Sequence, residues 1–297
     1  MKTQNGFTLL ETEKEFKEWL DKQKPTRKIT KLQVHHMDLP NYTTWKTTDE
    51  KVYGDNKELG RTKALDDYGK QTWKYSDGHG HYIAQHFNIF PNGKITTGRN
   101  LNSTPVGIKG WNTNAICIEI YGCFDKGKDK MTEEQKKAVI FVYALLSKKF
   151  NISINSTSIR PHCWFTASGT YLGNYSASKS AKTCPGTNFM GFGNTKKAFE
   201  NNFYPLLKAY KYESKSTIST KNDETTTSTK QQYIRILQDV NVHSTPDFDA
   251  SSICGKAKKG EALTIIKKIE RKGTDMYYVK AGYYITASTK YVEVFER

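Results

Sequence analysis

The feature that most constrains the fold is a run with almost no apolar content, Ser-Thr-Lys-Asn-Asp-Glu-Thr-Thr-Thr-Ser-Thr, beginning at Ser219 and ending at Thr229. Such a segment has nothing to bury in exchange for its ordering entropy, so it predicts a flexible linker over 212–232. The 297 residues must then fold as two separate cores, one over 1–211 and one over 233–297.

The first segment alternates helical and strand patterns. Thr12 and Glu15 form a capping box, and Phe16, Trp19 and Leu20 follow at helical spacing. An apolar strand ends at His35. Asn92-Gly93 predicts a tight turn between strands at Gln85–Phe90 and Lys94–Thr97. Thr132 and Gln135 cap an amphipathic helix that buries Val139, Val142, Tyr143 and Leu146, and a further helix is expected from Thr195 to Ala209. This is an α/β pattern with helices around one sheet. From Met37 to Tyr82 no sustained periodicity is found, and a long loop region with one short helix is expected. Its Tyr42, Trp45, Trp73 and Tyr75 suit either sugar stacking or packing. Beyond the linker, short strands at 234–237, 262–266, 276–279 and 291–294, with turns at Gly260, Gly273 and Gly282, predict a small all-β barrel.

Chemistry concentrates in a few places. Lys182-Thr183-Cys184-Pro185-Gly186 follows His162, and Val34-His35-His36 lies far upstream. Two imidazoles and a thiolate are the donor count of a catalytic zinc that keeps one open position. Each residue also has a plainer reading, Cys184 as a small buried thiol and His35 and His36 as satisfied core residues. In Ala115-Ile116-Cys117-Ile118-Glu119-Ile120, strand alternation puts the three isoleucines on one face and Cys117, Glu119 and Tyr121 on the other. Glu119 then faces a polar site or pairs with a lysine. His79 and His81, in a Gly-rich stretch, read as solvated loop residues in preference to a second metal site.

Four ordered segments resemble the type-2 N-acetylmuramoyl-L-alanine amidases, a family that includes phage lysins and animal peptidoglycan-recognition proteins. They are Leu32–His36, His86–Ile95 closing with Gly98-Arg99, Ala115–Gly122, and Pro161-His162 with Lys182–Gly186. The resemblance implies a zinc amidase domain with a central mixed β-sheet flanked by helices. It implies Zn2+ on His35, His162 and Cys184, Glu119 as the base that activates water, and Lys182 steadying the oxyanion. The tyrosine some members carry before the hairpin histidine is Gln85 here, which leaves Glu119 as the base. His86 and Asn88 share a strand face and are expected to orient ligands. Asn241–Ser244 and Gly282–Thr286 resemble bacterial SH3-like domains that target enzymes to cell walls.

Composition fits that picture. A net charge of +16 favours an anionic partner. No nucleic-acid recognition motif accompanies the charge, whereas peptidoglycan and its anionic wall polymers match it. No stretch approaches the roughly 20 apolar residues of a membrane span. Five cysteines without framework spacing fit reduced thiols. With no apolar signal-peptide core at Met1–Gly6, the chain is expected in the host cytoplasm until release, as for a phage endolysin. Two other classes stay open: a non-catalytic peptidoglycan-binding protein, and a wall endopeptidase cutting within the stem peptide.

Overall fold

The computed structural model describes residues 1–47, 56–212 and 232–296, the last without 244, 272, 280 and 282. Of the linker read over 212–232, all but Tyr212 and Gln232 lies outside the described residues, as do Ser244 and Gly282. The chain divides into two compact units, Met1–Ser216 and Thr217–Arg297.

The first unit is built on seven strands: β1 (Lys2–Gln4), β2 (Phe7–Leu10), β3 (Lys31–His36), β4 (Phe87–Ile89), β5 (Ile95–Thr97), β6 (Ala115–Ile120) and β7 (Ile159–Pro161). Their order is β1-β2-β5-β4-β6-β3-β7. Pairing is antiparallel from β1 through β4 and parallel across β4, β6, β3 and β7, so the sheet is mixed. The β4–β5 hairpin turns at Asn92-Gly93, where Gly93 takes φ +78°. An added Cβ there would meet the Glu134 backbone oxygen at 2.9 Å.

Alternation along β6 separates two faces. Ile116, Ile118 and Ile120 join Leu32, Val34, Phe87 and Ile89 in the main core. Helix α1 (Glu13–Lys22) contributes Phe16 and Leu20 to it, starting at Thr12, whose hydroxyl accepts from Glu15 N. The reciprocal half of the expected capping box goes elsewhere, since the Glu15 carboxylate accepts from Glu11 N. A long helix at Glu133–Lys149 buries Val139, Val142, Tyr143 and Leu146, and its Tyr143 hydroxyl donates to Gln33 O at 2.9 Å. A helical run continues through Lys196–Ala198, Phe199–Phe203 and Tyr204–Ala209, packing Phe199, Phe203 and Leu207 into the same core.

The opposite face is polar over its centre and is partly covered by a helix the sequence did not announce. Between β3 and β4, α2 (Tyr42–Thr47) is followed by α3 (Lys57–Thr72), sixteen residues long and packed on β2 and β5. Its buried residues are Glu58, Leu59, Arg61, Thr62, Asp66 and Gly69, so apolar periodicity has no stripe to detect. Each of several polar groups has a partner: Asn92 donates to Glu58, Thr62 bonds Thr96, and Asp66 accepts from Tyr82 N and Ile83 N. Trp45 packs against Phe90 and Tyr121, Tyr42 donates to Gln135, and Trp73 and Tyr75 are exposed.

The second unit is all-β. Strands β8 (Gln232–Ile236), β9 (Val240–His243), β10 (Ile253–Ala257), β11 (Ala262–Ile269), β12 (Met276–Val279), β13 (Tyr284–Thr286) and β14 (Val292–Glu296) pair antiparallel in the order β10-β9-β13-β12-β11-β8-β14. Ile234, Ile236, Val242, Ile265, Val279, Ile285 and Val292 form its core. Strands β9, β10 and β13 add to the four read from sequence. His243 is buried and hydrogen-bonded to Ser252, a structural placement.

Candidate metal centre

The parallel register sets the site. β3 pairs β6 with His35 opposite Glu119, and β3 pairs β7 with Val34 opposite Pro161, one residue before His162. The Lys182–Gly186 segment closes over this row. Cys163 N donates to Cys184 O, Asn194 donates to Thr183 O, and the Thr183 hydroxyl donates to Asp125. Gly186 lies at φ +111°, and an added Cβ would sit 2.4 Å from the Phe124 carbonyl, so only glycine lets the turn approach so closely.

Donor atoms of His35, His162 and Cys184 all lie within 4.8 Å of one another. Cys184 Sγ is 3.6 Å from His35 Nδ1, and the His35 and His162 ring centroids are 5.0 Å apart. His36, the other member of the pair, plays a different part. Its ring Nδ1 accepts from Phe124 N and its backbone N–H donates to Cys184 Sγ at 3.3 Å. A second group of donors, His35, Cys117 and Glu119, meets the same distance limit.

Glu119 Oε1 is 3.7 Å from His35 Nδ1. Its Oε2 is buried without a hydrogen-bond partner among the described residues, although the side chain as a whole is 19% exposed. Burial pushes this carboxyl up to about 8, and the Lys182 charge opposes the rise. Lys182 is exposed, and its charge also helps hold down His35 and His162. Burial comes first for each of them: His35 falls well below its usual range and His162 falls to about 4. Both are therefore neutral and able to donate a lone pair at pH 7. Burial and then the Glu119 charge push the Cys184 thiol well up, so the thiolate needs a cation beside it.

Two expectations about β4 are corrected. His86 Nδ1 accepts from Cys117 N, and its Nε2 faces Ser103 O at 3.0 Å with Arg27 at 3.3 Å, so it braces β6 and Arg27. Asn88 bonds Gln85 and Thr96. Neither is hydrogen-bonded to His35, His162 or Cys184: Asn88 bonds toward β5, whose Thr96 meets Thr62 of α3, and His86, just before β4, bonds toward β6 and Arg27. His79 is exposed, and His81 faces Asp66 at 3.6 Å. Two clefts, of about 290 and 650 Å³, are lined by residues outside the donor cluster.

Sequence reasoning passed over Gln33. It is fully buried on the same strand face as His35, two residues away, and that spacing was the available signal.

The N-acetylmuramoyl-L-alanine amidase family model matches residues 25–187, just over half of the chain, and a domain of unknown function (DUF5776) matches residues 226–292. No curated protein matches the chain. Among similar solved structures is the N-acetylmuramoyl-L-alanine amidase LysC from Clostridium intestinale URNW, 23% identical over 55% of this chain and 79% of that one, with a TM-score of 0.35. Drosophila PGRP-LB is 15% identical over 55% and 78% of the two chains at TM-score 0.39. Bumblebee PGRP-SA is 14% identical over 63% and 92% at TM-score 0.40. With its matched segment spanning the row of His35, Glu119 and His162 and the Cys184 turn, the chain belongs to the N-acetylmuramoyl-L-alanine amidase family.

Proposed function

We propose that this protein is a zinc-dependent peptidoglycan hydrolase of the endolysin type, cutting the amide between N-acetylmuramic acid and L-alanine. The observation that carries the reading is a buried, unpartnered carboxylate oxygen of Glu119 beside three converging metal-type donors. A protein that only binds walls has no need to hold a carboxyl at such cost.

The donor set fits the metal. Two neutral imidazoles and a thiol that ionises beside a cation match tetrahedral zinc with one open position. When bound, zinc supplies a Lewis acid that polarises the scissile carbonyl and acidifies a water. Glu119 takes the proton from that water and passes it to the departing L-alanine amine. Lys182 places positive charge where the carbonyl oxygen becomes an oxyanion, a contribution of about 3–4 kcal/mol for one donor in other hydrolases. The antiparallel second unit is read as the SH3-like wall-binding module, joined by the polar segment so that binding raises local substrate concentration.

Product analysis on purified peptidoglycan tests the proposal. Peptides with a free L-alanine amino terminus are expected, with glycan strands intact, and a chelator should stop their release until zinc is restored. Cuts within the stem peptide would make the protein an endopeptidase. Binding without products would make it a recognition protein.

A further inference from the structure

We infer that Gln33 is a positioning residue that fixes which nitrogen of His35 faces the metal. The inference rests on the zinc-site reading above and concerns how the chain prepares that site. Gln33 Nε2 donates to Trp111 O at 3.2 Å and to Asn112 Oδ1 at 3.0 Å. Both partners are acceptors, so the amide cannot flip without setting oxygen against oxygen. Its Oε1 is thereby aimed at His35 Nε2, 3.3 Å away, and Nε2 must carry the proton. That leaves the Nδ1 lone pair pointing toward Cys184 Sγ at 3.6 Å and Glu119 Oε1 at 3.7 Å.

The amide is itself held. Asn112 Oδ1 also accepts from Gly107 N and Ile108 N, and Tyr143 donates to the Gln33 carbonyl. Space is reserved for it as well. A Cβ on Gly107 would fall 2.0 Å from Gln33 Oε1 and 3.0 Å from Cys117 Sγ. Gly107 is not in a left-handed conformation, so its missing side chain serves the amide and not a turn. An isolated imidazole distributes its proton between both nitrogens, and a ligand on the wrong tautomer must rearrange before it binds. Gln33 removes that step.

The test is ring-nitrogen NMR on the metal-free full-length chain together with zinc affinity by chelator competition. In the wild type, His35 should be protonated at Nε2 alone. Gln33→Leu should show a mixture of tautomers and bind zinc about 10–100-fold more weakly, the usual cost of losing an outer partner. Gly107→Ala, which keeps the amide and crowds it, should weaken zinc binding in the same direction. A wild-type His35 protonated at Nδ1 overturns the inference without any variant. So does Gln33→Leu with unchanged tautomer and affinity. If the wild type binds no zinc while His35 is held at Nε2–H, the metal reading fails and the positioning role stands.

Discussion

The two units of this protein treat buried polarity in opposite ways. In Met1–Ser216 the interior holds Gln33, His35, His36, Glu58, Asp66, His86, Asn88 and Arg99, among others, while in Thr217–Arg297 it holds His243 and Ser252 among the described residues. Both units leave large apolar side chains at the surface, Leu39, Trp73 and Tyr75 in the first and Phe248, Ile253, Ile266 and Val294 in the second, so the difference lies in what each one buries. Burying polar groups costs free energy unless each finds a partner, so a domain that buries many has a use for a dry, preorganised interior. The contrast in buried polarity is one that variants can break or sharpen.

The largest effect is expected from Cys184→Ala. Elemental analysis should find about one zinc per wild-type chain and none in the variant, with hydrolysis reduced to background and attachment to walls retained. Full zinc occupancy in the variant would make the thiol structural and erase the division of labour at its source.

Next is Glu119→Gln, which preserves shape and removes basicity. The rate should fall 10²–10⁴-fold while zinc content and melting temperature barely change. Turnover close to wild type points to a different base. Loss of zinc together with activity places Glu119 among the metal's ligands.

Acid should weaken the metal-free first unit selectively. His86 is held at about 3 by burial, then by Arg27, and His162 at about 4; His35 and His36 are lowered too. Groups with folded values below 6.5 bind fewer protons folded than unfolded. Their stabilisation is complete above pH 6.5 and is lost as pH falls toward 4 and 3, at about 1.4 kcal/mol per pH unit for each proton. Glu119 acts oppositely: raised from 4.5 to about 8, it contributes stability below 4.5 that is lost as pH rises through 8. The four histidines outweigh it on the acid side. Thermal unfolding of the metal-free chain between pH 7 and 4 should show the first unit melting progressively earlier than the second, which carries one histidine. Equal loss in both units would remove this distinction.

The smallest effect is expected from Ile285→Val in the second core. It should cost about 0.5–1.5 kcal/mol, seen as an earlier melt of that unit, and leave hydrolysis of soluble fragments untouched. A change in turnover would mean that the units are coupled.

How much of this was legible in the sequence depended on whether a residue acts through its neighbours in the chain. The faces of β6, the helix at Glu133–Lys149, the Asn92-Gly93 turn and the gathering of His35, His162 and Cys184 all follow from local pattern or from family segments. What escaped depends on partners distant in the chain. Helix α3 buries Glu58, Arg61, Thr62 and Asp66, whose partners include Asn92, Thr96 and Tyr82, so no apolar rhythm marked it. Gln33 was passed over because its partners Trp111 and Asn112 lie far along the chain. His86 and Asn88 were misread because sharing a strand face says nothing about which strand lies next to it.

His35 and Glu119 lie near the carboxyl ends of β3 and β6, and His162 directly follows β7, on three strands that run parallel. The chain therefore leaves the row of His35, Glu119 and His162 at Met37, Tyr121 and Cys163 by three separate connections. Loops are where proteins tolerate insertion and exchange. On the function proposed above, preference among peptidoglycans of different stem composition would be rewritten in those connections, by grafting or by natural drift, while the strands that hold the donors stay as they are.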